Sequence, residues 1–432
     1  MDLMHILRGL LGIAAFIGIA FLFSENKRLV PWRLVIAGLL FQVVCGVLVL
    51  KIDAVRAAVD WVGQRFVDIL EFNRAGSQFL FGNLITDTKS FGYIFAFNVL
   101  PTIIFFSALT SLLFYWGLLQ KIVYAFAWLM SKTMRLSGAE SLAASANIFL
   151  GQTEAPLLIK PYLATMTRSE LLAVMVGGMA NIAGAVLVAY IGMLGGEDPA
   201  QRLLFAKHLI TASIMSAPAS LYIAKILLPQ TAPVDETISV PKEKIGANAL
   251  EAIANGTTDG LKLAVNVGAM LLVFTALVAM TNAILGSHLI AGWSGINDWI
   301  ASSTGGRYTS LSLQYVFGVV FAPLAWLMGV DHGSLTTAGQ VIGEKTILNE
   351  FYAYGTLGNL IQSGQFPDAR AQVIITYALC GFANIASIGI LIGGIGVLAP
   401  NQRPVLAQLG VKALIGGSLC CFIGASIAGM LT

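Results

Sequence analysis

Long, nearly uninterrupted apolar runs dominate this chain, and they constrain its fold more than any other feature. An α-helix needs about 20 mainly apolar residues to cross the hydrocarbon core of a bilayer. Eight runs reach that length, and they cover residues 3–24, 31–50, 91–119, 170–195, 203–228, 262–286, 367–399 and 405–431. Period-two alternation is missing from them, which argues against a transmembrane β-barrel. We therefore predict an all-α polytopic membrane protein with eight transmembrane helices.

The charge content agrees with this class. Charged residues make up 11% of the 432 residues, whereas an average soluble domain has about 25%. So few charges cannot cover a core of this size with polar surface, which excludes a soluble enzyme, a disordered chain and a secreted disulfide scaffold. The net charge of +3 gives no indication of a nucleic-acid partner.

Three segments between the apolar runs have their own character. Residues 53–72 alternate charge and bulk at helical spacing, which predicts an amphipathic helix in the membrane interface. Residues 290–304 resemble it with less charge, and residues 229–246 form the one long polar linker. We predict four parts of the chain: N-terminal scaffold spans and interfacial helices (1–136), a first repeat (137–228), the linker with span six and an interfacial helix (229–307), and a second repeat (308–432).

Two apolar segments are interrupted by polar residues. The first, residues 137–164, contains Gly-Gln-Thr-Glu-Ala-Pro at 151–156, and the second, residues 308–356, breaks at 329–333 and carries Asn349-Glu350 on its second limb. Irregular backbone at membrane depth occurs where it is buried in protein or lines a cavity. We predict a re-entrant hairpin with a polar tip in each segment.

The chain also repeats a motif. Gly-Met-Ala-Asn-Ile-Ala-Gly at 178–184 resembles Gly-Phe-Ala-Asn-Ile-Ala-Ser at 381–387, and each copy follows one broken segment. Basic residues such as Lys27, Arg28 and Arg403 predict which loops are cytoplasmic. This orientation puts both termini in the periplasm and the hairpins on opposite sides, so the repeats are inverted. Paired interrupted segments predict a transporter with a midplane site.

Two glutamates are the strongest candidates for function. An ionisable residue inside a span is unfavourable by roughly 2.5–3.5 kcal/mol, and Glu154 and Glu350 both fall in the interrupted segments. The structural alternative for Glu350 is a pair with Lys345 on the same helix. Asn181 and Asn384 occupy matched positions in the repeats, which indicates a cavity lining.

These motifs resemble the signatures of the concentrative nucleoside transporters, particularly of the shorter bacterial members. The resemblance rests on residues 151–156, on Gly343-x-Lys-Thr-x-x-Asn-Glu-Phe-x-Ala-Tyr354 and on Gly381-Phe-Ala-Asn-Ile-x-Ser387, and it extends over essentially the whole chain. It implies a nucleoside symporter of the inner membrane, not an enzyme. It also implies a lipid-embedded homotrimer in which a mobile transport domain moves past a scaffold like an elevator.

The resemblance also implies roles for individual residues. The expected contacts to the nucleobase are Gln152, Thr153 and Glu154, and the expected ribose contacts are Glu350, Asn384 and Ser387. The expected walls beside the base are Val186 and Phe382, with Leu261 as a further wall. The expected cation ligands are Asn147, Leu150, Asn181 and Ile182.

The chemistry of these residues suits a neutral nucleoside. Carboxylates accept hydrogen bonds from ribose hydroxyls, amides read base edges, and no cationic clamp for phosphate is present. Sodium prefers oxygen ligands, which amide side chains and the free carbonyls of broken helices supply. Asn181 replaces the hydroxyl residue expected in sodium-coupled relatives, so proton coupling through Glu154 or Glu350 stays open.

Other classes fit less well. A hairpin-type carrier for another small polar solute, such as an acidic amino acid, is the less favoured transporter, because Glu154 and Glu350 would repel an anion. An intramembrane enzyme needs a nucleophile with a base or an Asp dyad, and Asp331-His332 is the one candidate for it. The inverted repeat favours a carrier over a channel.

Overall fold

The structure is a computed structural model that describes residues 3–91, 94–134, 136–238, 246–287 and 295–432. Helices dominate it, and the described residues contain no strand. The longer helices are α1 Leu3–Leu22, α2 Trp32–Lys51, α3 Asp53–Phe81, α4 Leu100–Tyr115, α5 Leu118–Met134, α6 Gly138–Ala146, α7 Arg168–Ala180, α8 Gly184–Gly195, α9 Pro199–Leu227, α10 Ala249–Leu285, α11 Ile296–Ser303, α12 Leu313–Leu327, α13 Leu335–Ile347, α14 Glu350–Gln362, α15 Ala369–Leu379, α16 Ile385–Leu398 and α17 Arg403–Leu431.

Seven helical stretches of the described chain are long and apolar enough to cross a membrane. They are Leu3–Leu22, Trp32–Lys51, Phe95–Tyr115, Arg168–Gly195, Pro199–Leu227, Ala249–Leu285 and Pro400–Leu431. The remaining predicted span, 367–399, consists of two shorter helices, α15 and α16. The prediction of an all-helical membrane protein is confirmed.

Two spans are broken at the repeated motif. The first broken span is α7 and α8, separated at residues 181–183, and the second is α15 and α16, separated at residues 380–384. Asn181 and Asn384 both have extended backbone, and the Asn384 side chain accepts from the amide of Ser387 at 2.9 Å, so it starts α16 as an N-cap. The two breaks touch, because the Phe382 amide donates to the Asn181 carbonyl at 3.3 Å.

The first hairpin covers residues 138–163. It enters as α6, is irregular over 147–154, and returns as a 3-10 helix, Ala155–Ile159, and one turn of α-helix, Lys160–Leu163. Pro156 lies in the first turn of the returning limb, where a missing N–H is tolerated. The predicted polar tip is therefore irregular backbone, as its composition indicates.

The second interrupted segment does break at 329–333 as predicted, between α12 and α13, but this break is not the buried tip. Residues 331–333 of this turn are exposed, and Asp331 pairs with Arg8 at 2.8 Å, whereas Gly329 and Val330 are buried and Arg370 donates to the Gly329 carbonyl at 2.7 Å. The buried break lies at Leu348–Asn349 instead, because the Asn349 side chain accepts from the Tyr352 amide at 2.8 Å and starts a new helix. The second hairpin is thus α13 and α14, residues 335–362.

The two repeats exchange equivalent contacts. Gln402, after the second broken span, donates to the carbonyls that end the first hairpin, at Leu163, Ala164 and Met166. Gln362, at the end of the second hairpin, donates to the Met193 carbonyl in the first broken span at 3.0 Å. Each hairpin therefore ends against the broken span of the other repeat or the turn that follows it.

The outer helices pack on two different parts of the molecule. Helix α10 packs along α4, and Gly256 and Gly260 allow this approach, since an added Cβ at either would lie 2.6–2.8 Å from atoms of α4. Helices α1 and α2 instead pack on α17 and α9. Helices α1 and α2 therefore lie with the repeats rather than with α4. The predicted boundary of the N-terminal scaffold part at residue 136 stays a prediction.

The two segments predicted to be interfacial are helical where they are described, and their position in the membrane interface stays a prediction. The amphipathic stretch 53–72 forms the larger part of α3. The stretch 290–304 is helical at Ile296–Ser303, and residues 288–294 lie outside the described chain. Residues 239–245 of the polar linker also lie outside it.

A buried ion pair joins the first hairpin to its own repeat. Glu140 of α6 and Lys225 of α9 approach to 2.6 Å, with side chains 0% and 1% exposed. The Lys225 ammonium also donates to the Ser169 hydroxyl at 3.0 Å, which donates to the Leu228 carbonyl at 2.7 Å. The pair thereby holds α6 and α9 together next to the start of α7.

We expect Glu140→Leu to reduce stability by about 3–5 kcal/mol, because Lys225 is left as an unpaired buried charge. The double variant Glu140→Leu with Lys225→Met should recover most of the loss. The measurement is the thermal unfolding midpoint in detergent, followed by tryptophan fluorescence.

The matched control is Arg65→Gln, which breaks a surface pair with Asp68 at 2.9 Å. An exposed pair contributes about 0–1 kcal/mol, so its midpoint should stay near that of the wild type. Equal shifts in Glu140→Leu and Arg65→Gln would contradict the assignment.

Candidate functional site

A cavity of about 430 Å³, the central cavity, lies where the two hairpin tips and the two breaks meet α10. Its wall includes eight of the residues predicted to contact substrate: Gln152, Thr153, Glu154, Val186, Glu350, Phe382, Asn384 and Ser387. Residues separated by more than 200 positions in the chain are thus brought to one site. Their individual roles stay predictions.

Glu350 is held in place by neutral donors. Its Oε2 accepts from Asn384 Nδ2 at 2.8 Å, its Oε1 accepts from the Tyr190 hydroxyl at 3.2 Å, and the residue is 3% exposed. The suggested pair with Lys345 is not formed, because the Lys345 ammonium donates to the Ala378 carbonyl at 2.8 Å. Asn384 therefore positions the carboxylate with its amide nitrogen while its oxygen caps α16.

The first hairpin tip presents three polar side chains. Gln152 Nε2 donates to the Ser387 hydroxyl at 3.3 Å, while its buried Oε1 has no hydrogen-bond partner in the described chain. Thr153 and Glu154 are exposed. The Glu154 carboxylate folds back on Gly151, so that a Cβ at position 151 would collide with its Oε2. Glycine at this position lets the carboxylate lie against the backbone.

The predicted cation ligands include two buried oxygens that lack a donor. Asn147 Oδ1 and Asn181 Oδ1 have no hydrogen-bond partner among the described residues, and no described amide bonds to the Leu150 or Ile182 carbonyl. The Gly184 amide donates to the Phe149 carbonyl at 3.0 Å, which holds the hairpin tip against the first break. Neutral amide and carbonyl oxygens of this kind suit a hard cation such as sodium.

Sequence reasoning missed a partner of Glu350 and part of the cavity wall. Tyr190, the buried donor to Glu350, does not line the cavity but lies one helical turn after Val186 on α8, and this spacing could have indicated it. Helix α10 contributes Leu263, Asn266 and Met270. Leu261, the expected wall, is 50% exposed and does not line the cavity. Register on a long helix cannot be read from one sequence, so the face of α10 became visible only in the packed structure.

Profiles of three transporter segments match the chain. The profile described as Na+ dependent nucleoside transporter C-terminus matches residues 208–429, which is more than half of the chain. Its N-terminal counterpart matches residues 11–84, and a profile described as nucleoside recognition matches residues 96–197. The chain belongs to the concentrative nucleoside transporter family. The prediction drawn from its motifs is confirmed, and so is the prediction that it is a transporter and not an enzyme.

Similar proteins of the family occur in bacteria and animals. The chain is 41% identical to an uncharacterized transporter of Haemophilus influenzae, with 99% of this chain and 98% of that protein covered. It is 39% identical to the nucleoside permease NupC of Helicobacter pylori, with 97% and 96% covered. It is 38% identical to human solute carrier family 28 member 3, with 98% of this chain and 59% of that protein covered.

A solved transporter structure shows the same fold. CNTnw in an inward-facing substrate-bound state has a TM-score of 0.87 and 38% identity, with 99% of both chains covered. A CNTnw variant in a state called intermediate 1 has a TM-score of 0.89 and 38% identity, with all of both chains covered. The predicted fold class therefore has a close structural counterpart.

We expect Gly381→Ala to destabilise the centre of this concentrative nucleoside transporter. A Cβ there would lie 2.6 Å from the Met179 carbonyl oxygen and 2.9 Å from Cys421 Sγ, so the two breaks would have to separate. Overpacking of this kind reduces stability by about 1–3 kcal/mol. The unfolding midpoint in detergent should fall.

Gly389→Ala is the control, because nothing lies within 4 Å of a Cβ at that helical position. Its midpoint should be unchanged or higher, since Ala favours a helix over Gly by about 0.8–1 kcal/mol. A wild-type midpoint for Gly381→Ala would show that the contact between the breaks is loose.

Proposed function

We propose that the protein is a cation-coupled symporter, with sodium the favoured ion, that imports nucleosides such as uridine across the bacterial inner membrane. The observation that carries the proposal is the central cavity, which both hairpin tips and both breaks line. A nucleoside has an apolar aromatic base and a hydroxylated ribose. The cavity offers apolar walls at Val186 and Phe382 and polar groups at Glu350 and Asn384.

The second hairpin is suited to bind the ribose. A carboxylate has about four lone-pair sites, and two of those on Glu350 are used by Asn384 and Tyr190. The other two can accept from ribose hydroxyls. Such charge-assisted bonds are roughly twice as strong as neutral ones. Ser387 adds a hydroxyl on the same helix face as Asn384.

The first hairpin is suited to bind the base. The unpartnered Gln152 Oε1 can accept from a base N–H, and the exposed Thr153 and Glu154 can bond to the base edge. Val186 and Phe382 would cover the faces of the ring. No lysine or arginine lines the central cavity among the described residues, which favours a nucleoside over a nucleotide.

Sodium is the coupling ion that the residues favour, as a substrate carried with the nucleoside. Asn147, Leu150, Asn181 and Ile182 would bind it between the first hairpin and the first break. Two unpartnered buried amide oxygens support this assignment. Proton coupling through Glu154 or Glu350 is the alternative.

One coupled cation supplies enough free energy to accumulate substrate. A membrane potential of 100 mV supplies about 2.3 kcal/mol per charge, and a tenfold ion gradient adds about 1.4 kcal/mol to this driving free energy.

The proposed mechanism is an elevator in a homotrimer. The hairpins and broken spans would move together, while α4 and α10, which pack on each other, would belong to the fixed scaffold. Both termini would be periplasmic, as the distribution of basic residues predicts. Lipid would cover exposed apolar side chains such as Leu272 and Val320.

We expect Glu350→Gln to lower uridine affinity more than tenfold, because a hydrogen bond to a charged group contributes about 1.5–3 kcal/mol. Tyr190→Phe should have a smaller effect, since it removes one bond that orients the carboxylate. Equilibrium binding of radiolabelled uridine to purified protein measures both.

Tyr377→Phe is the matched control, because Tyr377 is buried but lies outside the central cavity. Its affinity should equal that of the wild type. Unchanged affinity in folded Glu350→Gln protein would exclude Glu350 from the binding site.

We expect uridine uptake into proteoliposomes to follow an imposed sodium gradient, and Asn147→Leu to remove this dependence by deleting one ligand oxygen. Asn359→Leu, at an exposed position outside the central cavity, should keep it. Uptake driven by protons alone would keep the substrate and move the coupling to a carboxylate. Absence of uptake with both gradients, from folded protein, would contradict the proposed function.

A further inference from the structure

A second cavity of about 330 Å³ lies beside the first hairpin, between that hairpin, α4 and α10. We name it the side cavity. Gly151, Glu154 and Ala183 border both this cavity and the central cavity. The Glu154 side chain therefore stands between the two spaces and is exposed.

The side cavity follows the returning limb of the first hairpin. It runs from Gly151 at the tip past Leu157 to Lys160. The limb ends at Leu163, whose carbonyl accepts from Gln402 Nε2 at 3.3 Å. The space thus leads from the central cavity towards the loops that the basic residues predict to be cytoplasmic.

The lining has the chemistry of a site for a small solute that is aromatic on one side and hydroxylated on the other. Phe114 and Phe149 supply aromatic surface, while Ser107, Thr110 and Asp259 supply polar groups. Among the described residues, the hydroxyls of Ser107 and Thr110 have no hydrogen-bond partner, whereas neighbouring Ser111 donates to the Ala252 carbonyl at 2.8 Å.

One face of α10 connects the two cavities. Asp259 lines the side cavity, and Leu263 and Asn266 line the central cavity. Spacings of four and three residues put all three on one side of the helix. A solute that passes the first hairpin tip would keep a polar contact on α10 throughout, first at Asn266 and then at Asp259.

We propose that the side cavity is a second, transient nucleoside site on the route of release, with Glu154 as the group that both sites share. This inference rests on the proposed function. The nucleoside leaves the ribose contacts of the second hairpin, passes the first hairpin tip, and is bound by Asp259, Thr110 and the two phenylalanines before it reaches water.

The test is substrate protection of a cysteine in the side cavity. Thr110→Cys is made together with Cys45→Ser, because Cys45 is half-buried and the other three cysteines, Cys380, Cys420 and Cys421, are buried. A small methanethiosulfonate reagent labels the purified protein with and without uridine. Leu112→Cys, on the same helix but outside the side cavity, is the matched control.

We expect saturating uridine to slow labelling of Thr110→Cys at least threefold and to leave Leu112→Cys unaffected. In a Thr110→Cys protein that also carries Glu350→Gln, the central site binds uridine more weakly. Protection should persist there at uridine concentrations that no longer fill the central site. Protection lost in parallel with central binding would overturn the inference, because it would then reflect a conformational change alone.

A second measurement uses uridine efflux from proteoliposomes. Asp259→Asn should slow efflux about threefold or more with central affinity unchanged. Lys262→Gln removes the partner that Asp259 meets at 3.8 Å outside the cavity and should not slow it. Equal effects of the two variants would overturn the role of Asp259. If the wild type binds uridine but uridine does not protect Thr110→Cys from labelling, the side site is overturned and the proposed function stands. If folded wild-type protein does not bind uridine, the proposed function is overturned.

Discussion

Where the two broken spans cross, the Phe382 amide donates to the Asn181 carbonyl, and much of the structure is arranged around this contact. A helix that stops at membrane depth leaves backbone groups without partners, and each such group is strongly unfavourable in hydrocarbon. The protein satisfies them internally, by caps from Asn349 and Asn384 and by the bond from the Gly184 amide to the Phe149 carbonyl. Within the described chain, the Asn147 and Asn181 side-chain oxygens and the Leu150 and Ile182 carbonyls accept no hydrogen bond, and all four lie at the candidate cation site.

Three glutamates in this apolar protein are accommodated in three different ways. Glu140 is paired with Lys225 and fully buried, which suits a structural tie. Glu350 is surrounded by the neutral donors Tyr190 and Asn384, so its carboxylate keeps free acceptor capacity. Glu154 faces two cavities and lies on the hairpin backbone. The groups around each carboxylate therefore distinguish Glu140, which stabilises the fold, from Glu350 and Glu154, which have free acceptor atoms for a substrate.

The central cavity depends on helices that belong to different packing groups. Most of its wall comes from the hairpins and the breaks, whereas α10 closes one side and packs on α4. Relative movement of the two groups would change the α10 face that meets the substrate. The polar positions along that face, Asn266 and Asp259, would then contact it at different stages of transport.

The sequence by itself determined the helical membrane class and the first hairpin tip, because apolar length and Gly-Pro interruptions are local signals. Its motifs, through their resemblance to the family, also named most of the residues that line the central cavity, whereas Leu261 was wrong and the breaks in the two spans were not predicted. Only the tertiary structure decided that the second tip is Leu348–Asn349, since Arg8, 323 residues away in the chain, pairs with Asp331 in the exposed part of the turn at 331–333. Tyr190 and the α10 face were likewise decided by packing. Which side of a uniformly apolar helix meets a cavity depends on its neighbours, and one sequence does not contain that information.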